Sequence, residues 1–104
     1  MDEAKMKELL ESSGIPFAYH IWRKPPSKLP WGVYRFSTTS EMYADGVLYH
    51  AVRRYQIELY TDTKEPLIEK MLEDTLTDNK IAFDKSETYI ESEQLYQILY
   101  ECEV

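Results

Sequence analysis

The chain has 104 residues, 43% of them hydrophobic and 30% charged, and its 19 acidic and 12 basic side chains give a formal net charge of −7. A chain of this length builds one packed core, which excludes a two-domain architecture with a large cofactor in a cleft. The acidic balance disfavours nucleic acid and anionic lipid surfaces as partners, because the long-range field of the protein repels phosphates. The sequence shows no membrane-spanning run and no signal-peptide pattern, so we expect a cytoplasmic protein.

The N-terminal third of the chain predicts a helix, a strand and a loop. Residues 2–13 carry apolar side chains at helical spacing and are followed by Gly14, a common helix stop signal. Residues 15–22 are rich in aromatic and β-branched side chains, which favours a strand. Residues 23–32 hold three of the five prolines and show no helical period, which indicates an irregular loop.

The middle of the chain predicts strands joined by a tight turn. Residues 33–39 alternate as a strand does, and an Asp-Gly pair at 45–46 lies between two apolar runs, as in many hairpins. The following strand, 47–61, would span on the order of 50 Å at about 3.3 Å per residue, more than twice a typical strand length. This strand either bends at a bulge near Arg53 and Arg54 or reaches beyond its own domain.

The C-terminal part predicts one helix and two further strands. Residues 66–78 begin with proline and show helical periodicity. We expect its buried stripe to consist of Leu67, Ile68, Met71, Leu72 and Leu76. We expect the side chains facing water to be Glu69, Lys70, Glu73 and Asp74. Residues 81–90 and 95–104 have the pattern of strands. The order α-β-β-β-α-β-β predicts that residues 1–104 form a single α+β domain, a mostly antiparallel sheet flanked by two helices.

No motif in the sequence indicates catalysis. His20 and His50 lie inside predicted strands without a triad pattern, and two histidines are too few for a zinc site. Cys102 has no basic neighbour in the sequence that would activate its thiol, so we interpret it as a small apolar side chain of the core. We therefore expect no catalytic residue, no cofactor and no metal. An enzyme would need a pocket that gives His20 or His50 a perturbing partner.

Opposite charges are concentrated in two segments of the chain. Between residues 12 and 40 there is no acid, and the bases are Arg23, Lys24, Lys28 and Arg35. Between residues 86 and 104 there is no base, and the acids are Glu87, Glu91, Glu93, Glu101 and Glu103. If the two segments lie on opposite sides of the domain, they favour head-to-tail association, which closes into a ring when the rotation permits. The alternatives are that the two segments are neighbours within one fold or are simply solvated faces.

Aromatic side chains are frequent, with nine Tyr, two Trp and three Phe. Tyrosine suits surfaces that become buried in a complex, although its preference for strands explains many of these positions equally well. Trp31, beside the prolines of the loop, is either an interaction anchor or a lid over the core.

Three stretches of the chain carry a resemblance to a known family: residues 86–104 (SETYIESEQLYQILYECEV), residues 55–61 (YQIELYT) and residues 14–19 (GIPFAY). Together they resemble small proteins encoded in siphophages and prophages of Gram-positive bacteria, and the likeness covers nearly the whole chain. The usual position of such genes implies a tail terminator or another neck component. Tail terminators of this kind are similar in having a small α+β fold, a sheet flanked by helices, that assembles as a hexameric ring.

The resemblance implies a virion assembly protein without enzymatic activity. Its ring would cap the tail tube and join it to the head connector, in the host cytoplasm during assembly and at the head–tail junction of the virion. The implied partners are further copies of the chain, the tail tube protein and a head connector or head-closure protein. DNA would pass through the ring without sequence-specific contacts, and no membrane is involved. The alternatives are another neck part, such as a head-closure component, and an acidic DNA mimic that blocks a host nuclease.

The subunit contacts are expected on the long strand, its hairpin and the charged segments. The candidate interface residues are Arg23, Lys24, Trp31, Asp45, Arg53, Arg54, Tyr89, Glu91 and Glu93.

Overall fold

Two helices and five strands follow the predicted order in a computed structural model of the chain. The structure describes the backbone of residues 2–44 and 47–104 and the side chains of residues 2–39 and 52–104. The elements are α1 (Glu3–Glu11), β1 (Phe17–Tyr19), β2 (Trp31–Ala44), β3 (Val47–Thr61), α2 (Pro66–Asp78), β4 (Phe83–Ile90) and β5 (Leu95–Glu103). The predicted α+β fold is confirmed.

The five strands form one mixed sheet in the order β1-β2-β3-β5-β4. The short β1 runs parallel to β2, whereas the remaining neighbours are antiparallel. The long β3 is therefore central, and β1 and β4 are the two edges of the sheet. The sheet is mostly antiparallel, as the sequence predicted.

One face of the sheet holds the core. Tyr55, Ile57 and Leu59 of β3 alternate toward this face, and their direct partners on β5 are Cys102, Tyr100 and Ile98. All six side chains are almost completely buried. The helices contribute Met6 and Leu10 from α1 and Leu72 and Leu76 from α2 to the same buried cluster. We call this side of the sheet the covered face, because both described helices pack on it.

The opposite side of the sheet, the open face, carries the alternate residues of the same strands. Glu58 lies at its centre, with Val33 of β2 and Leu99 of β5 as its direct partners. Neither described helix packs here, and the loop formed by residues 20–30, the basic loop, lies along one end of the open face.

The predicted strand 15–22 is shorter in the structure than in the sequence pattern. Only Phe17–Tyr19 pair with β2. The next residue, His20, has a φ of 64° in the left-handed region and donates its N–H to the carbonyl of Tyr34 at 2.8 Å. This turn ends the strand, so the aromatic residue Trp22 belongs to the basic loop instead.

The long strand β3 has the predicted bounds, Val47–Thr61. The register with β2 shifts between Phe36 and Thr38, opposite Arg54, so the irregularity is near the expected place but its extra residue lies on β2. The strand also continues past β5, which pairs with β3 only from Arg54 to Thr61. The domain is accordingly elongated, measuring 51 × 27 × 27 Å.

The part of β2 and β3 beyond the other strands is a two-stranded ribbon. It comprises residues 40–44 and 47–52, which pair with each other from Ser40–Val52 to Ala44–Val47. We call this ribbon the β-arm. The Asp-Gly turn predicted at 45–46 lies outside the described residues.

Helix α2 has the predicted bounds, but its orientation differs from the prediction. Leu67 is 78% exposed and Met71 is 42% exposed, whereas Glu69 is only 2% exposed. The prediction was wrong at these positions, and also at Glu73, which is partly buried. The reason lies on β4, where Lys85 pairs with Glu69 and Glu73 of the helix. An acidic edge of α2 therefore packs against β4, and the apolar Leu67 and Met71 turn outward.

Candidate functional site

An aromatic pocket opens on the open face at the base of the basic loop. Trp31 of β2 lies directly opposite Tyr60 of β3, and their ring centroids are 4.9 Å apart. Trp22, from the loop, meets Trp31 edge to face, with the centroids 6.3 Å apart. The indole N–H of Trp22 donates to the carbonyl of Gly32 at 2.9 Å, which holds the loop against the start of β2.

Two carboxylates complete the wall of this pocket. Glu58 on β3 accepts hydrogen bonds from the Tyr60 hydroxyl (3.3 Å) and from the Gln97 amide (3.2 Å), and the same amide donates to the Tyr60 oxygen (2.8 Å). Glu93 reaches the pocket from the turn between β4 and β5. Burial raises the pKa of the Tyr60 phenol, the Gln97 hydrogen bond opposes this, and the charges of Glu58 and Glu93 raise the pKa further. The remaining lining residues are His20, Ile21, Pro25 and Val33.

The structure brings the basic loop and the acidic turn together within one molecule. Arg23 and Lys24 directly follow Trp22, and both are exposed. Glu93 lines the same pocket as Trp22 and Pro25, and Glu91 is exposed in the same turn. The two charged segments are thus neighbours at this point, which is one of the two alternatives to opposite sides of the domain that the sequence left open.

Two of the candidate interface residues form contacts inside the chain. The guanidinium of Arg53 lies 2.5 Å from the Glu3 carboxylate and 4.5 Å from the centre of the Phe36 ring. Arg54 forms an ion pair with Glu103 at 2.8 Å. Both residues lie where the β-arm leaves the sheet, so they hold the base of the arm against α1 and β5.

The other candidate interface residues lie away from the base of the β-arm. Tyr89 on the edge strand β4 is 46% exposed, and its ring packs on Tyr96 with the centroids 4.8 Å apart. Trp31 belongs to the aromatic pocket. Asp45 lies outside the described residues. The structure therefore places the candidates in three regions, the pocket, the base of the β-arm and the β4 edge.

A charged cluster between α2 and β4 was not predicted from the sequence. The buried Glu69 accepts from Lys64 at 2.6 Å and lies 2.8 Å from the ammonium of Lys85. Lys85 also pairs with Glu73 at 2.8 Å, and Glu73 accepts from the hydroxyl of Tyr100 at 2.8 Å. Burial opposes ionisation of Glu69, but the hydrogen bonds from both lysines outweigh it and lower the pKa of its carboxyl. The contacts join helix and strand, so this cluster is a structural clamp.

Of the residues considered for chemistry, His20 lines the aromatic pocket with Glu58 and Glu93, and Cys102 lies in the core. His20 is exposed at the end of β1, and the side chain of His50 lies outside the described residues. Cys102 is 1% exposed, as expected of a core residue, and burial raises the pKa of its thiol to about 12. Within residues 2–39 and 52–104, no group of three His, Cys, Asp or Glu side chains is arranged to hold a metal ion. In the described part of the chain, no helix is long and apolar enough to cross a membrane.

Comparison with known proteins adds no identification. The chain matches no protein-family model, and no curated protein matches its sequence.

The sequence analysis missed most of the aromatic pocket. The alternation of β3 places Glu58 and Tyr60 on one face, and this signal was available. No sequence signal indicated that Trp22 and Glu93 approach each other, because the course of a proline-rich loop and the position of a distant turn depend on tertiary packing.

Proposed function

We propose that the chain is an assembly protein of a phage or prophage virion, a ring-forming subunit at the head–tail junction that terminates the tail tube. The proposal combines the sequence resemblance with one structural observation, the β-arm. The family resemblance supplies the position in the virion, and the arm supplies the means of contact between subunits.

The β-arm is a ribbon whose outer edges have no partner strand among the described residues. β1 pairs with β2 only up to Tyr34, and β5 pairs with β3 only from Arg54 onward. Unpaired strand edges are templates for another strand, and a two-stranded ribbon by itself is marginally stable in water. A neighbouring subunit that covers the arm would satisfy its backbone and stabilise it.

Surface charge supports a role in assembly as well. Within the described residues, the bases Arg23, Lys24, Lys28 and Arg35 form no ion pair, and neither do the acids Glu91, Glu93 and Glu101. Exposed charges of both signs steer the association of protein surfaces and set its specificity. This role requires no chemistry, so the proposed function includes no catalytic step.

Deletion of the gene, followed by electron microscopy of the particles produced, tests the proposal. A terminator defect gives abnormally long tails that are not attached to heads, and expression of the full chain in trans restores normal particles. Tails of normal length detached from filled heads would instead assign the chain to head closure. Normal virions from the deletion strain would contradict a role in assembly.

A further inference from the structure

We propose that the aromatic pocket binds an arginine side chain presented by a separate protein partner. The pocket combines the rings of Trp22, Trp31 and Tyr60 with the carboxylates of Glu58 and Glu93. Aromatic faces attract cations through the ring quadrupole, and the attraction is strongest for indole. The pocket would bind such a side chain whether or not the chain forms a ring.

The charge of the lining selects the class of ligand. Two of its residues are acids, and none of the nine residues that line it is Lys or Arg, since the exposed Arg23 and Lys24 of the basic loop lie outside the lining. An anion would be repelled by Glu58 and Glu93, and a neutral apolar group would gain nothing from them. A cationic ligand uses both the carboxylates and the rings.

Arginine fits this arrangement better than lysine does. A guanidinium is planar, stacks on aromatic rings and donates hydrogen bonds from its edge to carboxylates. Here the tilted pair Trp31 and Tyr60 offers the rings, and Glu93, which is exposed, offers carboxylate oxygens at the rim. An ammonium is more strongly hydrated and cannot stack.

A second copy of the chain is a poor source of this arginine. The chain contains four arginines, and three of them are bound within the molecule: Arg35 to Gln56, Arg53 to Glu3 and Arg54 to Glu103. The fourth, Arg23, is exposed in the basic loop and does not line the pocket, and its insertion into the pocket of a second copy would bring the two basic loops together. We therefore assign the ligand to a different protein.

Tryptophan fluorescence reports on the pocket directly, because both tryptophans of the chain line it. The probe is the blocked peptide acetyl-Gly-Arg-Gly-amide, and its control is the same peptide with citrulline, which keeps the shape and removes the charge. We expect a saturable change in emission with the arginine peptide and binding at least about fivefold weaker with citrulline. Equal binding of the two peptides, or no binding of either, would overturn the proposal.

A pair of matched variants locates the binding. Glu93→Gln removes a pocket carboxylate, and Glu91→Gln removes an exposed charge two residues away that does not line the pocket. We expect about threefold weaker binding of the arginine peptide to Glu93→Gln and unchanged binding to Glu91→Gln. Equal loss in both variants would show attraction to the acidic surface in general and would contradict the pocket. A fluorescence change on concentrating the chain alone that Arg23→Gln abolishes would contradict a separate partner.

Discussion

The two faces of the same sheet differ in what they bury. On β5, Ile98 faces the helices and has no exposed surface, whereas its neighbour Leu99 faces the open side and is only partly buried. The covered face joins both helices and all five strands in one apolar cluster, to which β4 contributes only the partly buried Phe83. The open face instead carries a pocket of aromatic and acidic side chains. The comparison indicates that the covered face holds most of the core, whereas the open face carries a pocket that neither described helix covers.

The largest expected effect separates the two faces directly. Ile98→Ala should lower the free energy of unfolding by about 2–5 kcal/mol, because it leaves a cavity in the closed core. Leu99→Ala, the matched change on the open face, should cost about 1 kcal/mol, since part of its side chain is already in water. Urea unfolding followed by circular dichroism measures both values. Equal losses would show that the open face contributes to the core as much as the covered face.

The second-largest loss of stability is expected at Gly32, which packs closely against Phe17 on the covered face. A Cβ at Gly32 would lie 2.3 Å from the Phe17 ring and 2.6 Å from the carbonyl oxygen of Glu58. Gly32→Ala should therefore destabilise the chain by about 1–3 kcal/mol through overpacking of β1 against β2.

Gly14→Ala provides the control for this substitution. There the new Cβ would only touch the Met71 methyl at 3.6 Å, and the cost arises from a φ of 91°. We expect Gly14→Ala to lower the free energy of unfolding by about 1 kcal/mol. A Gly32→Ala variant as stable as the parent chain would contradict the close packing of Phe17 on β2.

The charged clamp between α2 and β4 should contribute less than the apolar core. Glu69→Gln keeps the shape of the side chain but weakens its bonds to Lys64 and Lys85, which are themselves partly exposed. Thermal unfolding should show a loss of about 1–2 kcal/mol. Asp74→Asn, which breaks an exposed pair with Lys70 on the same helix, should change little. Similar losses of stability in the two variants would show that the buried Glu69 pairs stabilise the fold no more than the exposed pair of Asp74 does.

The clamp also predicts a dependence on pH. The pKa of Glu69 is lowered from its ordinary value of 4.5, so the ionised carboxylate stabilises the fold. This contribution is complete above pH 4.5 and is lost as the pH falls through the lower pKa of the folded state. The parent chain should therefore lose more stability than Glu69→Gln between neutral pH and the acid range. Parallel melting curves of the two proteins over that range would contradict the clamp.

The sequence predicted the elements of this fold well and their relative rotation poorly. The bounds of β3 and α2 were predicted as the structure has them, because alternation and helical periodicity are local properties. The rotation of α2 was not predicted, since one of the two lysines that bind the buried Glu69, Lys85, lies on a strand that follows later in the chain. In the pocket, the sequence leaves Trp31 open between an interaction anchor and a lid over the core, and its neighbours Trp22 and Glu93 come from a loop and a distant turn. The periodicity of a sequence contains no information on contacts between residues that are distant along the chain.

A shortened β-arm tests the central claim, that folding and assembly belong to different parts of the molecule. Residues 42–50 are replaced by Asn-Gly, which joins the directly paired Glu41 and Ala51 through a favourable two-residue turn. The purified variant should unfold at the same urea concentration as the full chain, because the covered face is intact. The decisive measurement is the length distribution of tails when this variant replaces the full chain in the deletion strain. We expect abnormally long, unattached tails, whereas normal particles with the shortened arm would contradict the account.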